Sequence, residues 1–311
     1  MRRYQGLGDL TPEQFRHPVI FTLGVFDGVH RGHRRLLDAL RAEADERAGE
    51  AVLLTFDRHP REVLSATPPP SLTSLERRLE LFEESGIDVV ILLPFTPERA
   101  RTTAEEFLAE VMVRVRPERL LIGANHHFGR GREGDYEFVA ARAGRYGYEA
   151  REIRLETDGE TISSTRIRAA VLAGELDEAA AMLGRPVAVC GRVIDGDKRG
   201  RTIGFPTANL ELEQSVRPPR GVYAARTTVD GLDGTWLTLV NIGRRPTFHD
   251  DQPDLVEAHL LEFSGDLYGR RLRLDFLSRI RDEQSFAGIE ELKAQIARDR
   301  ATALARHGEA S

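Results

Sequence analysis

Apolar residues in the first half of the chain follow two alternating rhythms. Short apolar runs, "PVIFTL" (18–23), "AVLLTFD" (51–57), "DVVILLPF" (88–95) and "ERLLIGA" (118–124), and the more polar "YEAREIRL" (148–155), read as strands. Between them the spacing turns helical. "RRLLDALRAEADERA" (34–48) keeps Leu36, Leu37 and Leu40 on one side, and "LERRLELFEESG" (75–86) sets Leu75, Leu79 and Phe82 in phase with Gly86 as a stop. "TAEEFLAEVMVRV" (103–115) and "DYEFVAARAGRYG" (135–147) continue the series. Strands alternating with helices imply crossover units, hence an α/β domain with a mainly parallel sheet and helices on its faces. Ligands in that layout lie at the carboxyl ends of the strands.

The rhythm changes after "STRIRAAVLAGELDEAAAMLG" (164–184), which reads as two short helices. From Pro186 onward come β-rich runs: "VAVCGRVI", "GVYAARTTV", "GTWLTLVNIG", "VEAHLLEF" and "RLRLDFLSRI", separated by Gly, Asp and Pro. A final helix is expected around "GIEELKAQIARDRATAL" (288–304). The second half therefore predicts a mainly-β domain, a small antiparallel barrel or sandwich with a C-terminal helix. The expected division is 1–184 and 185–311, and "TPPPS" (67–71) reads as a rigid loop.

Composition narrows the class. At 311 residues, 41% hydrophobic and 30% charged, the chain reads as an ordinary globular protein of two domains. A net charge of −6 argues against a general nucleic-acid binder. Lys198 and Lys293 are the only lysines, so the basic charge is mostly arginine, the residue suited to multidentate phosphate contacts. The single cysteine, Cys190, excludes an internal disulfide and reads as a buried structural thiol. No run reaches membrane-spanning length, and "MRRYQGLGDL" lacks the apolar core of a signal peptide. No membrane partner and a cytoplasmic location are expected. The oligomeric state is left open.

Chemistry concentrates first in "GVFDGVHRGH" (24–33), between a strand and a helix. Gly24, Gly28 and Gly32 allow backbone N–H groups to close on an anion, Asp27 lies in the same turn, and the helix start adds partial positive charge. Phosphate is the natural guest, with His30 and His33 donating to its oxygens. As a metal pair the two histidines lack the Glu of HExxH and an evident third ligand. "ISSTRIR" (162–168) places Ser163, Ser164, Thr165 and Arg168 at another helix start, where they suit an anion or where one hydroxyl is a plain cap. "GRGREG" (129–134) fits GxGxxG and makes a dinucleotide fold a rival. However, "NHHF" separates its glycines from the strand, where that fingerprint requires an immediate turn.

The two motifs together resemble the signatures of the nucleotidyltransferase superfamily, whose paired histidines stabilise a nucleoside triphosphate. In the second half, "GRVIDGDKRGRTIGFPTANL" (191–210) has no GK[ST] of a Walker A loop, but its "FPTAN" resembles the signature of riboflavin kinase. "GVYAA" (221–225), "NIGRRPTF" (241–248), "VEAHLLEF" (256–263) and "FAGIEELKAQIARD" (286–299) follow in that family's order. Taken together, the halves resemble the prokaryotic bifunctional riboflavin kinase/FAD synthetase family over roughly residues 15–300.

That resemblance implies a Rossmann-like N-terminal module and two successive reactions. Riboflavin and ATP give FMN and ADP in the second module; FMN and ATP give FAD and pyrophosphate in the first. It also implies Glu257 as the kinase base, Thr207 and Asn209 as ligands of a Mg²⁺–nucleotide, and Gly196, Gly200 and Gly204 in a loop over the phosphates. A base is needed because a ribityl hydroxyl is neutral, and a metal offsets the phosphate charge. For the synthetase it implies His30, His33 and Arg168 at the leaving pyrophosphate, with Asn125, Ser163, Ser164 and Thr165 near the nucleotide. FMN is already anionic and needs positioning rather than activation.

Two positions depart from the family pattern. "TFDRHP" carries Arg58 where proline is usual, and "GANHHFG" carries His126 where an aromatic is usual. Two other readings stand beside the bifunctional enzyme: a riboflavin kinase with a degenerate nucleotide-binding N-terminal module, and a flavin-sensing regulator without turnover.

Overall fold

The computed structural model describes residues 1–154, 162–195, 204–243 and 254–308. It divides into two compact units, Met1–Ser71 with Leu75–Ser164, and Leu72–Ser74 with Thr165–Ser311.

The first unit is built on β1 (Arg2–Gln5), β2 (Val19–Leu23), β3 (Glu50–Phe56), β4 (Val89–Leu93), β5 (Arg119–Gly123) and β6 (Glu149–Ile153). All pairings are parallel, in the order β1-β4-β3-β2-β5-β6. Residues along a strand alternate between two cores because side chains point to opposite faces. Phe21, Val52, Leu54 and Ile91 join one cluster with Phe107, Leu108 and Val111 of the helix Ala104–Arg114. Ile20, Leu53, Val90 and Leu121 join the other with Leu36, Leu37 and Leu40 of the helix Arg31–Glu46. Strands covered on both faces are apolar throughout, hence the unbroken runs in the sequence. From β2 the chain adds β3 and β4 on one side, then β5 and β6 on the other. The order reverses between β2 and β5, where open α/β sheets form their ligand crevice.

Two local expectations differ. "DYEFVAARAGRYG" forms two short helices, Tyr136–Ala140 and Ala143–Tyr146, the second carrying the weak helix former Gly144. β1, with the sequence "RRYQ", has no apolar run and exists through its pairing with β4.

The second unit takes up the helix Ser164–Ala173 from Thr165 onward, followed by the helix Leu176–Leu183. It continues as β7 (Ala188–Ile194), β8 (Ala208–Leu212), β9 (Gly221–Val229), β10 (Trp236–Gly243), β11 (Leu255–Leu260) and β12 (Arg271–Arg281). These close into an antiparallel barrel, β10-β11-β8-β7-β12-β9, so the barrel rather than the sandwich is realised. Irregular pairing of β12 with β9 at Phe276/Ser278 and Arg279/Arg281 bends the longest strand as closure requires. Inside lie rows such as Leu210–Val256–Ile242 and Ala208–Ala258–Val240, all buried and matched in register. The C-terminal helix Ile289–His307 packs Ile296 and Ala303 against Leu237, Leu239, Leu277 and Ile280. Cys190 is buried, and its N–H donates to Gln214 Oε1 at 3.2 Å.

Candidate active sites

In the first unit, "GVFDGVHRGH" leaves the carboxyl end of β2, beside the switch point, as a strained turn. Phe26, Gly28 and Val29 all have positive φ, of 54°, 84° and 36°. Glycine supplies that conformation freely; phenylalanine and valine do so only when packing imposes it. Packing does impose it: Phe26 and Val29 are buried, and the Phe26 ring meets Phe82 at 5.6 Å and His33 at 5.2 Å edge-on. Gly24 is required by close approach, since a Cβ there would lie 2.8 Å from the Phe26 ring. His30 is the N-cap of the helix Arg31–Glu46, and its Nδ1 accepts the His33 backbone N–H at 3.3 Å. The two imidazoles stack at 3.7 Å with planes 15° apart. Asp27 and Gly32 are buried in the same turn. The histidines thus stand at a helix N-terminus, where backbone N–H groups and the helix dipole favour an anion.

Of the distal motif, Ser164 comes directly to this turn: its hydroxyl donates to the Asp27 carbonyl at 2.9 Å. Ser163 is half-buried, Thr165 exposed, and Arg168 lies buried one turn further along the same helix. Sequence reasoning missed Arg78. From the helix Leu75–Glu84 its guanidinium donates to the carbonyls of Val25 at 2.7 Å and Phe56 at 2.9 Å, tying the turn to the end of β3. Burial pulls its pKa down, against the attraction of Asp27. A basic residue on an amphipathic helix carries no sign that it will point inward.

Both family departures become intelligible. The Arg58 side chain is mostly exposed, while neighbouring Asp57 accepts the Phe95 N–H at 3.0 Å and His59 caps the helix Pro60–Leu64. His126 follows β5 across the switch point, next to exposed Asn125. Its ring lies 6.2 Å from Phe128 with planes 19° apart, and its backbone N–H donates to Gly123 O at 2.9 Å. Burial, with His127 and Arg132 nearby, lowers its pKa to about 4. It is therefore a neutral stacked ring at physiological pH, close in behaviour to the aromatic it replaces. Its Nε2 is buried without a hydrogen-bond partner among the described residues.

In the second unit the barrel register assembles what the sequence separates. Asn209 on β8, Glu257 on β11 and Asn241 on β10 are direct neighbours across three strands. All three are half-buried, while Ala208, Leu210, Val256, Ala258, Val240 and Ile242 are buried, so the row lies on the outer face. Asn241 Nδ2 donates to Glu257 Oε2 at 3.3 Å. Thr207, two before Asn209, is exposed, and Gly204 has φ of 88° at an open position. His259 Nδ1 bonds the Pro206 carbonyl at 2.7 Å and its ring meets Phe205 edge-on, fixing "FPTAN" against β11. Gly196 and Gly200 lie outside the described residues.

A family model described as FAD synthetase matches residues 13–166, and one described as riboflavin kinase matches residues 183–307. A protein of Escherichia coli strain K12 described as bifunctional riboflavin kinase/FMN adenylyltransferase is 41% identical over 307 residues, covering 97% of each chain. The chain belongs to the bifunctional riboflavin kinase/FMN adenylyltransferase family.

Relatives of the same description in Pseudomonas fluorescens and Bacillus subtilis are 37% and 34% identical, covering 98% and 92% of this chain and 97% and 91% of their own. A solved Streptococcus pneumoniae chain described as a macrolide-efflux protein shares the fold over 99% of both chains, with 28% identity and a TM-score of 0.83. Among the described residues, no helix is long and apolar enough to cross a membrane. As a riboflavin kinase/FMN adenylyltransferase, the chain carries its FAD synthetase module on the parallel sheet and its riboflavin kinase module on the barrel. The dinucleotide rival falls with this assignment. Gly129 of "GRGREG" precedes a short 3₁₀ turn and Gly131 lies within it, so they do not open a helix directly from β5.

Proposed function

We propose that this chain phosphorylates riboflavin with ATP at the barrel and adenylylates FMN with ATP at the parallel sheet, giving FAD and pyrophosphate. Within the kinase, Glu257 takes the proton of the ribityl hydroxyl as that oxygen bonds the γ-phosphorus and ADP leaves. The observation carrying this reading is the register that sets Glu257 directly opposite Asn209. A pure flavin-binding regulator has no use for a base there.

Thr207, just before β8, and Asn209, on it, offer a hydroxyl and an amide oxygen, hard donors suited to Mg²⁺. Among the described residues no cluster of three or more His, Cys, Asp or Glu side chains is placed to hold a metal. Bound with ATP, Mg²⁺ neutralises charge on the transferred phosphoryl group. Thr207 and Asn209 hold the nucleotide's phosphate end, Gly204 borders the loop over it, and the division between modules is placed at 184/185.

Within the synthetase, the strained turn presents backbone N–H groups, His30 and His33 to the triphosphate. The FMN phosphate attacks the α-phosphorus, and pyrophosphate leaves toward these donors and Arg168. Gly24, Asp27, Gly28 and Gly32 shape the turn; Ser163, Ser164, Thr165 and Asn125 border the nucleotide. The intact, packed turn favours a working synthetase over a degenerate one.

The test is chromatographic separation of flavins over time, with riboflavin, excess ATP and Mg²⁺. FMN is expected first and FAD after it. Glu257→Gln should slow FMN formation by about 10²–10⁴-fold, the usual worth of a general base, while conversion of added FMN to FAD continues. His30→Ala with His33→Ala should do the reverse. FMN that accumulates without FAD, even when FMN is supplied, would reduce the first module to a nucleotide binder.

A further inference from the structure

Asn241 stands beside the kinase base with a defined hydrogen bond. It lies opposite Glu257 across β10 and β11, and its Nδ2 reaches Glu257 Oε2 at 3.3 Å. Two residues on, Gly243 occupies the same face of β10. A Cβ at Gly243 would collide with Glu283 Oε1 and come within 3.3 Å of Asn241 Nδ2. The glycine therefore leaves the space that the Glu283 carboxylate takes. Glu283 follows the end of β12, where Arg281 is anchored by both carboxylate oxygens of Asp299 at 3.0 Å.

The chemistry of these groups fixes the amide's orientation. Carboxylates only accept, so an amide bonded to the Glu257 carboxylate turns its NH₂ toward it and its carbonyl away. An amide donor to a charged acceptor is among the stronger neutral partners a carboxylate finds. It also restricts rotation of that carboxylate, which matters because a base must meet its proton within hydrogen-bond reach and in line.

We propose that Asn241 is a positioning residue of the kinase. Its amide holds the Glu257 carboxylate by Oε2 in the orientation that receives the ribityl proton. This rests on the reading of Glu257 as the base, and the controls keep the two separable.

The experiment compares Asn241→Ala, Asn241→Asp and Asn241→Gln with Glu257→Gln in the full chain. FMN formation is measured across riboflavin and ATP concentrations, and riboflavin binding is followed by flavin fluorescence with ADP in place of ATP. Asn241→Asp keeps the shape but replaces the donor with an acceptor. Asn241→Ala and Asn241→Asp are expected to lower kcat by about ten-fold or more, the scale of one hydrogen bond to a charged group, with KM and binding within about two-fold. Asn241→Gln, which retains the amide, should recover part of the loss. If Ala and Asp leave kcat within about two-fold, or if riboflavin binding and KM carry the whole effect, Asn241 is merely part of the barrel and the proposal is overturned. Loss of riboflavin binding in both variants counts as the same outcome. An inactive Glu257→Gln with unaffected Asn241 variants would sink this inference alone; an active Glu257→Gln would remove the base and this inference with it.

Discussion

His126 shows how a polar side chain serves as an apolar one. Its ring is half-buried with Nε2 enclosed, lies parallel to Phe128 and is held neutral, with a pKa of about 4. In the unfolded chain it titrates near 6.5. The folded pKa is the lower one, so the unfolded state binds more protons between these values, and stability falls as pH drops from about 6.5 toward 4. His126→Phe should remove this loss, on the order of 2 kcal/mol, and relieve the unpartnered Nε2. The gap in melting temperature between variant and wild type should be larger at pH 5 than at pH 8. Gly28 sets a different constraint, because φ of 84° is strained for any other residue. Gly28→Ala should cost about 1 kcal/mol or more and slow FAD formation selectively, as read by thermal unfolding and the FMN-to-FAD rate. At this scale the motif glycines and histidines were legible in the sequence. Phe26 and Val29 were not: nothing marks an apolar residue for positive φ until neighbouring rings force it there. Arg78 was hidden for a related reason, since its inward turn depends on carbonyls contributed by two distant loops.

Elements differ in how much of their identity is local. The strands β2 to β5 announce themselves because both faces are buried, whereas β1 depends on its neighbour and has no periodic signal. In the barrel, β10 and β11 were legible as β-rich runs, whereas the short β8, following the glycine-rich stretch, was not read as a strand. The register that places Asn209, Glu257 and Asn241 side by side is set by closure of six strands and is invisible in any one segment. Asn241 was quoted within a motif without a role for this reason. The C-terminal helix contributes an anchor as well as apolar cover: Asp299, almost fully buried, receives the Arg281 guanidinium. Breaking one side of a buried pair leaves an uncompensated charge. Asp299→Ala should therefore lower stability by about 3 kcal/mol, whereas replacing both partners with apolar residues should cost much less. Denaturant titration of the single and double variants checks this.

At the scale of the whole molecule, the two proposed sites draw on opposite resources of β-structure. The site proposed for the synthetase lies in loops at the carboxyl ends of parallel strands, with a helix start to meet charge. The site proposed for the kinase lies on the outer face of a closed barrel, where cross-strand neighbours hold a fixed spacing. Closure has a further consequence for the barrel's behaviour in concentrated solution. A ring of six paired strands offers no lateral margin of unpaired N–H and C=O groups onto which another chain can add. The parallel sheet does have margins, and both are charged. β1 carries Arg2 and Arg3, paired with Glu50 and Glu83, and β6 carries Glu149 and Arg151, paired with Arg119 and Glu43. An incoming strand would have to strip water and counter-charges from these residues before its first backbone bond formed. Resistance to edge-to-edge aggregation is thus written into the least apolar strands of the protein.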